Sequence, residues 1–219
     1  MVSSAAPLPR PLRERFLERL VRCVAGLAGF GIGIAFFVKA DVGVPPWDVF
    51  HQGVADRVGW GLGTVIIATG FALLLLWIPL RVRPGIGTIL NAVQIGLVEN
   101  FAEGIIPDAS HPAMKAIFVL AGMVSIAIGS GLYIGAELGS GPRDGLMMGL
   151  HDRFGISVRV ARTSVEVAAM AVGLALGGGL GIGTFVFAFG IGPMVQVTLR
   201  MFHMSPSTVE SAVSEALEQ

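Results

Sequence analysis

Charge is scarce in this chain. Only 14% of its 219 residues are Asp, Glu, Lys or Arg, where soluble domains carry about 25%. With 53% apolar residues and a mean hydropathy of +0.76, the composition places the chain in a bilayer and leaves too little polar sequence for a separate soluble catalytic domain. The single cysteine, Cys23, excludes an internal disulfide and a multi-cysteine metal site. Set in an apolar run, it reads as a small buried hydrophobe. Familiar chemical signatures are missing too. GlyLeuGlyThr at 61–64 and GlyIleGlyThr at 85–88 and 181–184 lack the Lys-Ser/Thr ending of a phosphate loop. There is no HisGluXaaXaaHis zinc motif and no serine in a GlyXaaSerXaaGly elbow. His51, His111, His151 and His203 are scattered through loops and ends. We therefore expect no catalytic residues, no metal and no cofactor, and an enzyme is the least supported class.

What is present is a duplication. Residues Ala40 to Gly59 return 96 positions later as Ala136 to Gly155. Ala40/Ala136, Gly43/Gly139, Pro46/Pro142, Asp48/Asp144, Gly53/Gly149, Asp56/Asp152, Arg57/Arg153 and Gly59/Gly155 are identical, and Asp41/Glu137 keeps its charge. The same offset carries GlyIleGlyThr at 85–88 onto 181–184, followed by Ala92/Ala188, Ile95/Ile191 and Gly96/Gly192.

A helix crossing hydrocarbon needs about 20 apolar residues. Stretches near 20–39, 61–80, 85–106, 113–136, 159–178 and 181–202 qualify. The first is not a signal peptide, because it aligns with the internal run 117–134. The domain plan is a basic segment at 1–19, three-helix repeats at 20–106 and 113–202, and a short acidic tail at 203–219. From Pro11 onward the pattern suits an amphipathic helix on the headgroups, and Ser207 with Glu210 fits a capping box in the tail. Small residues at Ala25, Gly29 and Gly33, and at Gly131, Gly135 and Gly139, suit close helix packing within the chain or a homodimer seam.

Six spans put both termini on one side. That side collects Arg10, Arg13, Arg15, Arg19, Arg22, Arg81, Arg83, Arg143, Arg153, Arg159, Arg162 and Arg200, against Lys39, Arg57 and Lys115 on the other. Basic residues favour the cytoplasmic face, so a multi-pass protein of the bacterial cytoplasmic (inner) membrane with cytoplasmic termini is expected. Each repeat holds an odd number of spans, so the second copy enters from the opposite side, as in many secondary transporters. The fold class expected is thus all-α, with six transmembrane helices in two inverted three-helix repeats. Each repeat has a short amphipathic or re-entrant element after its first span.

The duplicated segment supplies the first candidate site. Gly43 and Gly139 permit a bend, Pro46 and Pro142 suit a first helical turn, and Asp48 and Asp144 then face the positive helix end. Trp47 is answered by Arg143, so the two ends differ chemically. Two roles stay open: helices that plug the bundle ends with aspartates as caps, or paired gates of a solute site. Arg162 and Glu166, four apart in the fifth span, are expected to face the bundle interior as an ion pair or a substrate- or proton-coupling group. Asn91 and Gln94 in the third span are expected to line the same cavity, whereas Glu99 and Asn100 are expected near the interface, where they need no special role. The interleaved basic and acidic residues of the N-terminal segment suit anionic lipid rather than nucleic acid.

The strings AspValGlyValProProTrpAsp at 41–48, GluLeuGlySerGlyProArgAsp at 137–144 and GlyIleGlyThr in each half resemble the YczE/YitT group of bacterial integral membrane proteins, over about residues 20–202. The resemblance implies a membrane location and six spans, and brings no substrate or catalytic residues. A small-solute transporter working by alternating access is the leading expectation. The alternative is a non-catalytic membrane subunit or scaffold that captures substrate for, or assembles with, a partner.

Overall fold

The computed structural model describes residues 15–202. Both the amphipathic segment expected from Pro11 and the capping box at Ser207 and Glu210 fall largely or wholly outside them. Among the described residues the chain is all helical, with no strand. The helices are α1 (Phe16–Ala40), α2 (Pro46–Val58), α3 (Leu62–Leu80), α4 (Ile86–Ile105), α5 (Pro112–Gly135), α6 (Pro142–Phe154), α7 (Val158–Leu176) and α8 (Ile182–Phe202). All six stretches expected to span are helices, and the two short helices α2 and α6 fall where the duplication puts them. Four helices, α1, α3, α5 and α8, are long and apolar enough to cross a membrane by length and composition. The other two long ones are more polar: α4 carries Asn91, Gln94, Glu99, Asn100 and Glu103, and α7 carries Arg159, Arg162 and Glu166.

Without a hydrophobic force between helices in lipid, packing depends on close backbone approach. The centre of the bundle is the α1–α5 crossing. A methyl group at Gly26 would lie 2.6 Å from the Gly129 carbonyl oxygen, and one at Gly33 would lie 2.8 Å from that of Gly122. Low numbers on one helix meet high numbers on the other, so the pair is antiparallel. Ser125 Oγ donates to the Gly29 carbonyl at 2.6 Å between them. Outside this pair, α4 seats on α1 where a methyl at Gly31 would reach the Ile95 carbonyl at 2.7 Å. On the other flank α8 seats on α5, where Thr198 Oγ1 donates to the Ala127 carbonyl at 2.7 Å. Large apolar side chains such as Leu75, Ile78, Phe101, Ile117 and Phe189 point outward, a surface suited to lipid rather than water.

Cations tie the ends of the central pair. Arg19 is 1% exposed. Its Nε donates to the Ala136 carbonyl at 2.8 Å and its Nη2 to the Glu137 carbonyl at 2.6 Å, satisfying acceptors left over at the C-terminus of α5. At the opposite end, and 96 residues on, Lys115 Nζ donates to the Asp41 carbonyl at 3.2 Å. The first helix begins a turn before the expected residue 20, and Arg19 belongs to that extra turn.

The peripheral contacts also recur at the offset, but with side-chain sizes exchanged. On one flank α6 Gly145 faces the ring of α3 Trp77, and any side chain at 145 would strike that ring. On the other flank α2 Val49 and Phe50 face α7 Gly173. Bulk sits on α3 in one pair and on α2 in the other. We expect Gly145→Val alone to destabilise the protein by about 1–3 kcal/mol through overpacking. Combining it with Trp77→Gly should recover at least ~0.5 kcal/mol relative to the sum of the single changes. Thermal unfolding of the detergent-solubilised variants measures this, and simple additivity would show that the two residues do not share one seat.

Candidate functional site

Both bends of the duplicated segment dock on the other half of the chain. After α1, Asp41 (φ 49°) and Gly43 (φ 104°) turn the chain into α2; after α5, Glu137 (φ 53°) and Gly139 (φ 129°) turn it into α6. At Gly43 and Gly139 a side chain would be strained by φ and blocked by the facing helix start. The Val42 carbonyl accepts from Gly183 N–H at 2.8 Å, and the Leu138 carbonyl accepts from Gly87 N–H at 2.9 Å. Residues 87 and 183 belong to the two GlyIleGlyThr strings. The role of that motif follows from helix physics. The first turn has N–H groups without intrahelical partners. Glycine at its second position lets a foreign carbonyl reach one of them. Threonine at the next position accepts from the preceding glycine, Gly85 N–H to Thr88 Oγ1 at 3.1 Å and Gly181 N–H to Thr184 Oγ1 at 3.4 Å. Thr88 Oγ1 in turn donates to the Ser140 carbonyl at 2.7 Å.

The third such string, GlyLeuGlyThr at 61–64, opens α3 and receives a side chain instead of a bend. Gly63 N–H donates to Asn100 Oδ1 at 3.1 Å, and Asn100 Nδ2 donates to Thr64 Oγ1 at 3.2 Å. Beside Asn100 stands Glu99. It is 0% exposed, and neither carboxyl oxygen makes a well-formed hydrogen bond, its nearest polar neighbours being Gly63 N–H and the Glu103 carboxyl. Gly63 makes room for it, since a methyl there would lie 2.7 Å from Glu99 Oε2. The first half therefore holds a buried acidic group. Asp48 is 4% and His51 is 7% exposed, and His51 Nδ1 shares a 2.8 Å hydrogen bond with Asp48 Oδ1. Asp48 and Glu103 are close enough to act electrostatically on Glu99. Burying an ionisable group away from water is costly unless it is well paired.

The second bend has a different lining. The atoms nearest a methyl at Gly141 would be Asp144 Oδ2, Asn91 Nδ2 and the Tyr133 hydroxyl, and Tyr133 donates to the Gly139 carbonyl at 3.1 Å. At the offset positions of Tyr133 and Asn91 stand Phe37 and Phe187, stacked edge-on at 5.5 Å. At this pair of positions the second bend is polar and the first aromatic.

Asp48 and Asp144 both lie in first helical turns, as expected, yet at separate bends. Pro46 and Pro142 open those helices, and the Pro142 carbonyl accepts from Trp77 Nε1 at 2.8 Å. Trp47 is buried with its Nε1 unpartnered, edge-on to Phe50 at 6.5 Å; Arg143 is half-buried. A groove of about 340 Å³ at the first bend is lined by Asp41, Gly43, Gln52, Gly179 and Ile182 among others. An apolar groove of about 480 Å³ runs between α2, α3 and α7 past Trp47, Phe50, Leu76 and Val172. Neither groove includes a residue of α6.

Three expectations are corrected. Arg162 and Glu166 pair with each other at 3.1 Å, but their side chains are 65% and 36% exposed, so they face outward. The reason lies in the offset: their counterparts on α3 are Ile66 and Gly70, and Arg159 replaces Gly63. Those α3 residues let it seat on α4, with Gly63 against Gly96 and Gly70 against Ala92. Bulky ionic side chains cannot, and on α8 the matching Ala188 and Gly192 are exposed. Asn91 and Gln94 do not share a cavity with that pair. Asn91 stands at the second bend, and Gln94 Nε2 donates to the Val24 carbonyl at 2.7 Å. Glu99, expected to need no special role, is the most unusual group in the molecule. Its sequence signal was a second carboxylate four residues on, Glu103, in a helix otherwise free of ionisable residues.

Comparison with known proteins locates the chain among its relatives. Residues 17–200 match the model of a family of unknown function, DUF6198. The chain is 37% identical over 180 residues to an uncharacterized protein of Haemophilus influenzae, covering 82% of this chain and 83% of that one. It is 34% identical over 163 residues to the uncharacterized membrane protein YczE of Bacillus subtilis, covering 73% and 75%. No solved structure matches.

Glu99 makes no well-formed hydrogen bond in the fold. Replacing it with Met, of similar length, should therefore leave the thermal midpoint unchanged or raise it, because a buried polar group without a partner is a cost. Thermal unfolding in one detergent checks this; a midpoint several degrees lower would reveal a partner for the carboxyl.

Proposed function

We propose a function from one premise: this chain belongs to the DUF6198 family and is a membrane protein. The reading its geometry supports best is a small-solute transporter of the bacterial inner membrane. It would have six spans in two inverted three-helix repeats and both termini in the cytoplasm. The observation that carries it is the exchanged docking of the two bends, Val42 on Gly183 and Leu138 on Gly87. Each short helix hangs from one half by its bend and is latched to the other half by backbone. A rocking of the halves would move both short helices in opposite senses, as alternating access requires. The antiparallel α1–α5 crossing supports the inverted plan, since helices related by an axis across their length run antiparallel. The excess of Arg on one side supports the orientation. In this mechanism Asp48 and Asp144 gate the two entrances, with unlike linings at each: His51, Trp47 and Glu99 on one side, Tyr133, Asn91 and Arg143 on the other.

One observation favours a second reading, a subunit or scaffold. On α7, Arg159, Arg162 and Glu166 face outward, where hydrocarbon disfavours them. A partner helix laid against them would remove that cost.

The test has two parts. In a Cys23→Ser background, single cysteines at the exposed repeat positions Asp56 and Asp152 should be labelled by an impermeant reagent from opposite faces of the membrane; labelling of both from one face removes the inverted plan. In proteoliposomes, a panel of small polar solutes should include one that enters faster than in empty vesicles. Asp48→Asn or Asp144→Asn should slow that flux roughly tenfold or more, the scale of a lost hydrogen bond to a charged group. A panel without any such solute, together with a partner that co-purifies in mild detergent, would favour the subunit reading instead.

A further inference from the structure

We propose that Glu99 is a proton-binding site and that the solute flux is coupled to its protonation. The coupling rests on the transporter reading above; the proton site stands on its own geometry. The observations begin with Glu99 itself. Its carboxyl is fully buried within the bundle, and neither oxygen makes a well-formed hydrogen bond. Its nearest polar neighbours are Gly63 N–H and the Glu103 carboxyl, and Gly63 N–H is already engaged by Asn100 at 3.1 Å. A carboxyl in that position is poorly paired for a group so deeply buried.

The groups around it are sorted by helix. On α4 itself Glu103, one turn on, faces the same region, and from α2 comes Asp48 with His51 as its hydrogen-bonded partner. Helix α3 carries no ionisable side chain. Helix α1 meets α4 at Gly31, beside Ile95 and the Glu99 backbone, and its nearest cation along the chain, Lys39, is held by Asp108 at 3.0 Å. The ionisable residues of α6, Arg143 and Asp144, stand at the Asn91 end of α4. So two carboxylates, one of them bonded to an imidazole, act on Glu99, and among the described residues no Lys or Arg is engaged with it.

Such a set cannot carry its full negative charge in a low-dielectric interior. A proton is the smallest ion that relieves it and needs no coordination shell. Among the described residues no three Asp, Glu, His or Cys side chains are arranged to hold a metal ion. The step is a simple exchange. A hydronium ion loses a proton to become water, and the Glu99 carboxylate gains it to become a neutral carboxylic acid. The local charge rises by one, and the reverse step returns the proton to water. The positions related by the offset are Val195 for Glu99, Leu199 for Glu103 and Met147 for His51. The second half places apolar side chains at these three positions while keeping Asp144 at that of Asp48, so the helices themselves do not require an acid at residue 99.

Infrared difference spectroscopy tests the proposal on the full chain in lipid nanodiscs, by titrating pH and reading the carbonyl stretch of a desolvated carboxylic acid. A band should appear on acidification. It should vanish in Glu99→Gln, persist in Glu103→Gln and move its midpoint in Asp48→Asn. Should Glu99→Gln not fold, Glu99→Met reads the same band. A titrating band left intact by both Glu99 variants, or no such band in the wild type, overturns the proposal. A band that responds to sodium at constant pH also overturns it, in favour of a metal-cation site. Vesicles loaded with a pH-sensitive dye separate the two readings: a Glu99 band without solute-driven proton movement keeps the proton site and removes the coupling. Solute flux unaltered by a pH gradient, with no Glu99 band, removes this inference and leaves the transporter reading standing.

Discussion

Twice in this protein a carbonyl at a chain bend binds an N–H at a helix start, and each time the two groups come from different halves. The remainder of the structure depends on that exchange. In a bilayer neither group can be left to water, and irregular backbone is tolerated only where protein covers it. The bends at Asp41–Val44 and Glu137–Ser140 are irregular. They survive because each is seated on a glycine-opened helix terminus, Val42 on Gly183 and Leu138 on Gly87. The cations Arg19 of α1 and Lys115 of α5 complete the closure at the C-terminal ends of α5 and α1. Neither half can satisfy its own bend, so neither half has a reason to be stable alone.

That mutual dependence explains which features recur at the 96-residue offset and which have drifted. Backbone contacts recur: the positive-φ residues Asp41, Gly43 and Gly59 are matched by Glu137, Gly139 and Gly155. Side-chain contacts trade places. Trp77 fills the space over Gly145, whereas Gly173 yields space to Val49 and Phe50; the seat is filled either way, from opposite walls. Where drift has gone furthest the packing has changed. Gly63 and Gly70 let α3 lie against α4. Arg159 and Glu166 at the matching places hold ionic groups on the outside of α7, and no comparable seam joins α7 to α8.

Much of this was legible in the sequence because it depends on chain-local physics. Apolar runs of bilayer length became helices, with boundaries shifted by a few residues. Pro46 and Pro142 opened short helices with an acid in the first turn. What could not be read were relations between segments. The GlyIleGlyThr strings were visible, but their use as receptors for the other half's bend depends on which helix start faces which loop. The same holds for the burial of Arg19, which looks like one more cytoplasmic arginine until its carbonyl partners at 136 and 137 are known. Arg162 and Glu166 mislead in the opposite direction. Pattern alone assigns a charged pair in an apolar helix to the interior, and it takes the loss of the small-residue seam to turn the pair outward.

Glu99 shows why the distinction matters for function. A poorly paired acid within a helix bundle is a net cost to the fold, and at the matching position of α8, where the packing is looser, stands Val195. The room for Glu99 is also specific, since it exists only because residue 63 is glycine and Asn100 has taken that glycine's N–H. Space left open by a glycine, and a poorly paired acid set in it, mark the Asp48 side as chemically unlike the Asp144 side. On the other side, the Tyr133–Gly139 hydrogen bond fastens the second bend. Both bends are thus tied by backbone, but only the second has a tyrosine hydroxyl among its ties, and only the first has a fully buried glutamate beside its short helix. The two ends of a duplicated architecture are chemically unlike.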